Sequence, residues 1–483
     1  MSRNSEESLL DHDGHLIEEQ PILGGITMES KKSSSRWKYG KYAVFGFIVL
    51  SLASIYPLCY WNQTDTVDYP DVPLNYTEKI PDPHIPGLEL VLDKETPIND
   101  KIKRVVLVVM ENRSFDHIFS GLKSLGKPVD GLTGNETNYL YNGAAIQVRK
   151  TEKYISNYDP GHSMDDITQQ IYGSRGNAEQ KTPTMGGFAR NVQDRTFFWN
   201  RDDALDDVFG YHTEDTLPIS YKLAQEYSII DHYFCSVPGP TWPNRHFVHC
   251  ATSNGLVDND HEGPDGVKCK TMFRHLEEHN ITWRIYDDNN KSPPFTWEYN
   301  DIRQDGYRQR LRPFEEFFRD AEMGNLTHID PRENFNDNHP PADLHNGEIF
   351  IKRIYEALRK SVHWEESLMF VTYDEHGGFY DHVTPPTNVP RPDKLPTYPK
   401  YNDFHFTRLG VRVPAIVISP YTPKNMVFKS GYKNRHFEHS SIPGTMKRIF
   451  GLDGWLSKRD EWAVSFHPIF GLQEKRTDCP MEL

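Results

Sequence analysis

Two acidic segments of this 483-residue chain each follow an apolar run that is typical of a buried strand. Glu111 and Asn112 come directly after IKRVVLVVM, and Asp374 and Glu375 come directly after SLMFVTY. Because parallel strands end at one rim of a sheet, these carboxylate and amide oxygens are expected to converge there. Hard oxygen ligands of this kind suit a divalent cation. Acidic residues behind a strand are also frequent helix caps, and spacing alone leaves both interpretations open.

A hydroxyl group lies in a turn constrained by glycine and proline at Thr241, inside PGPTWPNRH. A threonine hydroxyl becomes a nucleophile only when a metal ion or a base activates it. The stretch that follows is helix-like, and backbone N–H groups at the start of a helix favour a phosphate. The segment predicts a nucleophile for phosphorus, with a plain helix cap as the alternative.

Two loops contain candidate histidines: His162 lies in DPGHSMDD, and His339 lies in HPP. An imidazole in a loop can donate to phosphate oxygens or protonate a leaving group. The chain has 22 histidines, so a structural role is the alternative for either residue.

The segments that must position these side chains alternate between strand-like and helix-like patterns. The strand-like runs are 102–110, 281–286, 367–373 and 411–420, and the helix-like runs are 217–227 and 346–361. Continuous apolar strands are typical of a parallel sheet that is buried on both faces. The alternation predicts a doubly wound α/β sandwich.

The chain is predicted to have four parts. A tail, 1–42, precedes the apolar run 43–60, which lacks charged residues and nearly has the length of a membrane-spanning helix. A proline-rich polar stalk, 61–100, leads to the catalytic domain, 101–483. The long polar tail favours an uncleaved signal anchor over a cleaved signal peptide.

The charges around the apolar run predict the orientation of the chain. Basic residues precede the run and acidic residues follow it, which leaves the tail in the cytosol and the catalytic domain in the lumen or outside the cell. The basic residues are Lys31, Lys32, Arg36, Lys38 and Lys41, and the acidic ones are Asp65, Asp68 and Asp71. An acidic dileucine-like signal at 18–23 agrees with endo-lysosomal membranes, beside other secretory membranes or the cell surface.

Glycosylation sequons and cysteines agree with that compartment. Sequons occur beyond the apolar run at Asn62, Asn75, Asn135, Asn280, Asn290 and Asn325. The cysteines outside the run are Cys235, Cys250, Cys269 and Cys479. Their even number fits two disulfides in any of three pairings, or four buried thiols. The net charge of -15 argues against nucleic acid as a partner, because phosphate backbones are bound by clustered Lys and Arg.

Several long strings resemble one family. ENRSFDHIFSG, DPGHS, GPTWPNRHFVHCATSNG, HPP, TYDEHGGFYDHVTPP and EHSSIPGTMKRIFGL occur in the order seen in the phosphoesterase family of bacterial phospholipases C, plant non-specific phospholipases C and related acid phosphatases. The resemblance spans about 101–452. It implies an alkaline-phosphatase-like sandwich with a single metal-centred site.

Carried over by motif, the resemblance implies a role for each candidate residue. The implied ligands of a divalent cation of unknown identity are Glu111, Asn112, Thr241, Asp374 and Glu375. Thr241 would also be the nucleophile, and His162 and His339 would surround the phosphoryl group, with His162 as the leaving-group acid. Asn112 also begins a sequon, which is expected to stay unmodified because a sugar there would abolish the site.

The expected activity is a membrane-anchored phospholipase C. It would hydrolyse a glycerophospholipid such as phosphatidylcholine to diacylglycerol and a phosphorylated head group. One alternative is an acid phosphatase that acts on soluble phosphomonoesters, and another is an inactive membrane receptor domain with the same fold. Sulfatase-like chemistry would need a Cys or Ser modification motif that this sequence lacks.

Overall fold

The computed structural model describes residues 100–176, 178, 181–196, 201–259, 266–288, 294–303, 307–319, 323–398, 404–429 and 435–483. The predicted tail, the anchor 43–60 and all but the last residue of the stalk lie outside these ranges. Within them, no helix combines the length and the apolar character that crossing a membrane requires.

Strands and helices are interspersed along the chain, although several strands or helices follow one another in places. In chain order the strands are β1 Arg104–Met110, β2 Thr137–Tyr139, β3 Ala145–Gln147, β4 Arg149–Lys150, β5 Gly210–Tyr211, β6 Ser228–Ile230, β7 Tyr233–Phe234, β8 Trp283–Asp287, β9 Leu311–Pro313, β10 Leu326–Asp330, β11 Ser367–Tyr373, β12 Ala415–Ile418, β13 Met426–Phe428 and β14 Phe437–Glu438.

The α-helices are α1 Phe115–Phe119, α2 Met164–Tyr172, α3 Phe188–Arg195, α4 Arg201–Phe209, α5 Pro218–Glu226, α6 Thr241–Cys250, α7 Met272–Glu278, α8 Asn300–Arg303, α9 Phe314–Phe317, α10 Leu344–Lys360, α11 Ser441–Phe450 and α12 Lys458–Trp462. Short 3-10 helices occur at Ser120–Leu125, Phe295–Glu298, Arg308–Arg310, Trp364–Glu366 and His467–Phe470.

The core is a large mixed sheet. Among the described residues its strand order is β13-β6-β12-β11-β1-β10-β8-β9. β1 and β11 lie at its centre, pair in parallel and are almost entirely buried, because their continuous β-branched and apolar residues face neighbours on both sides of the sheet. The α/β class and the strands predicted at 102–110 and 367–373 are therefore confirmed.

The prediction of a parallel sheet is wrong at β12. This strand, inside the predicted run 411–420, pairs antiparallel with both β11 and β6. The remaining pairs of the large sheet are parallel. An apolar run shows that a strand is buried but not the direction in which it runs, so the sequence pattern could not have revealed the reversal.

The cysteines form one disulfide within the described ranges. Cys250, the last residue of α6, is bonded to Cys269, 19 positions later, just ahead of α7. Cys235 and Cys479 are free and buried. The sequence left open two disulfides or four free thiols for these cysteines. The structure has one disulfide and two free thiols.

Candidate active site

The two acidic segments meet because their strands are parallel neighbours. Met110 lies opposite Tyr373 in the β1–β11 register, so Glu111 and Asp374 leave the sheet side by side. The Asp374 N–H donates to the Met110 carbonyl at 3.0 Å, and the Asn112 N–H donates to Asp374 Oδ1 at 3.1 Å. The structure therefore brings Glu111, Asn112 and Asp374 together at one rim of the sheet, where the sequence predicts them.

The turn after β11 fits tightly against Asn112. Asn112 has a φ of 56°, a left-handed conformation that asparagine tolerates better than most residues. Gly377 has a φ of 60°, and a Cβ atom there would lie 2.6 Å from the Asn112 carbonyl oxygen. Gly377 thus permits both the backbone turn and the close approach. Asn112 is fully buried, which leaves no room for a glycan on its side chain.

Thr241 is the first residue of α6, and its hydroxyl donates to Glu111 Oε1 at 3.0 Å. The loop ahead of it is fixed by Asn244, one helical turn further on. The Asn244 amide accepts from the Val237 N–H at 2.9 Å and donates to the carbonyls of Val237, Gly239 and Pro240. The nucleophile candidate is therefore held in place by its own helix.

Asn112 and Glu375 have side-chain atoms suited to a cation. Both residues are fully buried. Among the described residues, the side-chain amide of Asn112 has no hydrogen-bond partner, and neither has either carboxylate oxygen of Glu375. A buried carboxylate without a partner is costly unless a cation neutralises it. The donor set, with Glu111, Thr241 and Asp374, thus fits a divalent cation.

Arg245 is a site residue that the sequence analysis missed. Its guanidinium forms ion pairs with both Glu111 and Asp374. The residue lies four positions after Thr241, so the helical spacing within PGPTWPNRH was the available signal. Nothing in the sequence indicated that the side chain turns inward, since arginine is seldom fully buried.

The two carboxylates that share Arg245 have opposite pKa shifts. Burial works to raise the pKa of Glu111, but the charges of Arg245 and His339 outweigh burial and lower it below the ordinary value. Burial and the negative charge of Glu111 raise the pKa of Asp374 well above its ordinary value, against the opposing effect of Arg245. Glu111 therefore stays ionised and can accept the Thr241 hydrogen bond.

His439, in the motif EHSSIPG, contacts the backbone carbonyl of Asp374. Its Nε2 lies 2.5 Å from the Asp374 carbonyl oxygen. Burial lowers the pKa of His439 to about 3, so the ring is neutral and carries its proton on the nitrogen that faces the carbonyl. This residue was quoted in the resemblance but had no predicted role.

The two predicted histidines also come together. The rings of His162 and His339 lie 5.9 Å apart, edge to face. Their Nδ1 atoms donate to the Pro160 and Pro340 carbonyls at 2.7 and 2.6 Å. Carbonyls only accept, so Nδ1 carries a hydrogen atom in each ring, and Nε2 is the nitrogen left to exchange a proton or bind a metal ion.

Gly378 brings the His162 loop close to the turn that follows β11. It has a φ of 77°, and a Cβ there would lie 2.6 Å from the Gly161 carbonyl oxygen. The charge of Asp159, in the same loop, contributes to the raised pKa of Glu375, after burial, Asp374 and Glu111. The histidine loop and the carboxylate rim are therefore parts of one site.

The described residues contain two groups of potential metal ligands, and within each group the donor atoms lie no more than 4.8 Å apart. One is Asp159 with His162 and His339. The other, Asp116 with Asp381 and His382, already contains a cation, because Arg412 pairs with Asp116 at 2.8 Å and with Asp381 at 2.9 Å. The predicted carboxylate set is not among these groups, and Arg245 bridges two of its members.

Comparison with known proteins identifies a family model and several relatives that this chain resembles. Residues 102–453 match the model of the Phosphoesterase family. Non-specific phospholipase C6 of Arabidopsis thaliana is 39% identical over 400 residues, which cover 79% of this chain and 75% of the relative. Phospholipase C A of Mycobacterium tuberculosis is 25% identical over 391 residues, 73% of each chain. The phosphonate monoester hydrolase of Agrobacterium radiobacter aligns with a TM-score of 0.34 at 11% identity, over 78% of this chain and 79% of that one.

An α/β protein with this rim of oxygen ligands, and with relatives of this kind, is a phosphoric ester hydrolase of the phospholipase C type. The chain belongs to the Phosphoesterase family.

Proposed function

We propose that this protein is a metal-dependent phospholipase C that uses Thr241 as its nucleophile and cleaves glycerophospholipids to diacylglycerol and a phosphorylated head group. The observation that carries the proposal is the hydrogen bond from the Thr241 hydroxyl to ionised Glu111 at a rim that also holds the unpaired oxygens of Asn112 and Glu375. The names of the relatives, phospholipases C from a plant and a bacterium, support the lipid substrate.

Thr241 begins the reaction. As its oxygen attacks phosphorus, the hydroxyl proton passes to Glu111, which already accepts the Thr241 hydrogen bond. The bond from phosphorus to the glycerol oxygen breaks, and the departing alkoxide takes a proton from Nε2 of His162, which enters the reaction protonated at that nitrogen. The Pro160 carbonyl holds the other ring nitrogen of His162 and so fixes the direction of Nε2. Water then attacks the phosphothreonine and gives a proton to His162 Nε2, and Glu111 returns its proton to the Thr241 oxygen as the bond from that oxygen to phosphorus breaks. His339, whose ring lies 5.9 Å from that of His162, would contact the phosphoryl oxygens.

The residues that would hold the cation are Glu111, Asn112, Thr241, Asp374 and Glu375. When bound, a divalent cation lowers the pKa of the hydroxyl and neutralises charge that develops on the phosphoryl oxygens. Arg245 pairs with the Asp374 carboxylate and His439 donates to its backbone carbonyl, and together they keep Asp374 in place.

An activity assay separates the lipase from the phosphatase alternative. The full-length protein, purified in detergent, is expected to release diacylglycerol from phosphatidylcholine vesicles and to lose that activity on addition of a chelator. The products are measured by lipid chromatography, with inorganic phosphate measured in parallel on a soluble phosphomonoester. Release of phosphate from the monoester alone, with no diacylglycerol, would replace the lipase proposal with the phosphatase one.

We also infer that the catalytic domain faces the lumen or the outside of the cell, as a type II membrane protein anchored by 43–60. Three sequons besides the one at Asn112 lie in the described ranges, and they differ in exposure. Asn135 and Asn280 are exposed. Asn325 is half-buried, and its Nδ2, the atom that would carry a glycan, donates to the Lys103 carbonyl at 3.0 Å.

Glycosylation mapping tests this topology. Asn135→Gln and Asn280→Gln are each expected to remove one endoglycosidase-sensitive mobility shift from protein made in eukaryotic cells, whereas Asn325→Gln serves as the matched control and removes none. Protease added to intact microsomes is expected to digest only the tail. A chain without any glycan, or a catalytic domain that is digested from outside, would contradict the orientation.

A further inference from the structure

Arg245 contacts two of the three carboxylates in the candidate ligand set. Its Nη2 pairs with Glu111 Oε2, and its Nε lies 3.2 Å from Asp374 Oδ2. The Arg245 side chain is 1% exposed, so both ion pairs form away from water. Buried charges of this kind persist only when each has a partner, and Arg245 supplies a partner to both carboxylates.

Contacts outside the ligand set hold the guanidinium in this position. It lies over the Phe295 ring, 3.8 Å from the ring centre. The backbone carbonyl of Arg245 accepts a hydrogen bond from the Tyr299 hydroxyl at 3.0 Å. Arg245 is also one helical turn beyond Thr241 in α6. The cationic group is thus fixed by the same helix that carries the nucleophile candidate.

The charges at the rim suggest what Arg245 does. When ionised, the three carboxylates Glu111, Asp374 and Glu375 carry one more negative charge than a divalent cation neutralises. An anionic phosphate ester would then meet a net negative site. The guanidinium supplies the missing positive charge at a fixed position, with no need for a second metal ion.

We propose that Arg245 is the fixed counter-ion of the ligand set, a positioning residue that lets one divalent cation neutralise Glu111, Asp374 and Glu375 before the anionic ester binds. This inference rests on the proposed function, because it requires the cation. It assigns to Arg245 a role toward charge balance, distinct from direct contact with the reacting atoms.

The proposal predicts an effect opposite to that of a purely structural residue. A guanidinium and a divalent cation that share two carboxylates repel each other, and at a few ångströms in a buried site this repulsion is worth more than a factor of ten in affinity. Removal of Arg245 is therefore expected to tighten cation binding while it impairs turnover. Loss of a residue that only shaped the site would loosen cation binding.

The experiment compares three variants of the full-length protein in detergent, each stripped with a chelator and titrated with Mn²⁺ alone by calorimetry. Arg245→Met removes the charge, and Arg245→Lys keeps it. Arg412→Met is the matched control, because Arg412 is equally buried, bridges Asp116 and Asp381, and lies over the Phe115 ring, but is outside the ligand set.

Wild type is expected to bind one Mn²⁺, and Arg245→Met to bind it at least tenfold more tightly with a lower kcat/KM on phosphatidylcholine. Arg245→Lys and Arg412→Met should stay within threefold of the wild-type affinity.

Equal or weaker binding by Arg245→Met overturns the inference. If circular dichroism shows that this variant is unfolded, Arg245→Lys decides, and a change beyond threefold overturns it. A wild type that binds no Mn²⁺ but cleaves lipid overturns this inference and the metal in the proposed function together, whereas the Arg245→Met result bears on the inference alone.

Discussion

Thr241→Ala is expected to lower phosphodiester turnover at least about a thousandfold, because loss of a nucleophile removes the covalent route altogether. Thr241 is buried, and within the part of the chain that the structure describes its hydroxyl makes one hydrogen bond, to Glu111. Its loss should therefore cost only about 1 kcal/mol of folding free energy. Turnover is measured as diacylglycerol release, and the temperature of unfolding is measured on the same preparations.

Thr241→Ser provides the matched comparison, since it keeps the hydroxyl and removes a methyl group. It should retain measurable turnover, and a phosphorylated residue at position 241 should be trapped by rapid acid quench in wild type but not in Thr241→Ala. If the alanine variant turns over within a few fold of wild type, another group is the nucleophile.

Glu375→Gln is expected to reduce cation affinity more than about a hundredfold, since even residues that only orient a ligand change metal affinity by factors of about 10–100. The change keeps the shape of the side chain and removes its charge. Metal content after dialysis, measured by mass spectrometry, checks the prediction. The matched variant is Glu348→Gln, because Glu348 is also a buried carboxylate but accepts hydrogen bonds from the backbone at Ser220 and Ile219 instead of lying unpaired.

Glu375→Gln is also expected to change how the stability of the metal-free protein depends on pH. Burial, Asp374 and Glu111 together raise the pKa of Glu375 well above its ordinary value of 4.5. A carboxyl group whose pKa is raised on folding stabilises the folded state below its unfolded pKa, and this contribution is lost as the pH rises toward the folded pKa. Metal-free wild type should therefore lose stability as the pH rises above about 4.5, and Glu375→Gln should lose less. Parallel curves for the two proteins would show that Glu375 is not held as an unpaired buried carboxylate.

The sequence was informative wherever burial and periodicity decide the structure. The strand that ends at Tyr373 was predicted to the residue, because a continuous apolar run bounded by polar residues leaves little choice. The helix at 346–361 was also located, and the observed one starts two residues earlier at Leu344, where the Asp343 side chain caps it. The direction of β12 depends on the path of the chain through loops, which no local pattern records.

The site was predictable to a similar extent. Motif resemblance named the residues that supply oxygen ligands, the hydroxyl and the imidazoles, and the structure brings them to one place. It did not indicate Arg245 or His439, because both act through other side chains or through the backbone. Whether a charged residue in a helix faces solvent or the core depends on how the helix packs, and α6 packs with Arg245 turned toward the ends of β1 and β11.

The disulfide between Cys250 and Cys269 determines how samples of this protein can be compared. It ties down the carboxyl end of the helix whose first residue is Thr241, while Asn244 secures the loop at the other end. Protein produced in a reducing bacterial cytosol would carry the same sequence with that helix anchored at one end only. Protein from such a host and protein from a secretory host should therefore be compared in kinetic assays only after the state of this disulfide is known. A thiol titration identifies that state. In the oxidised form two free thiols are expected, Cys235 and Cys479, with Cys59 counted separately.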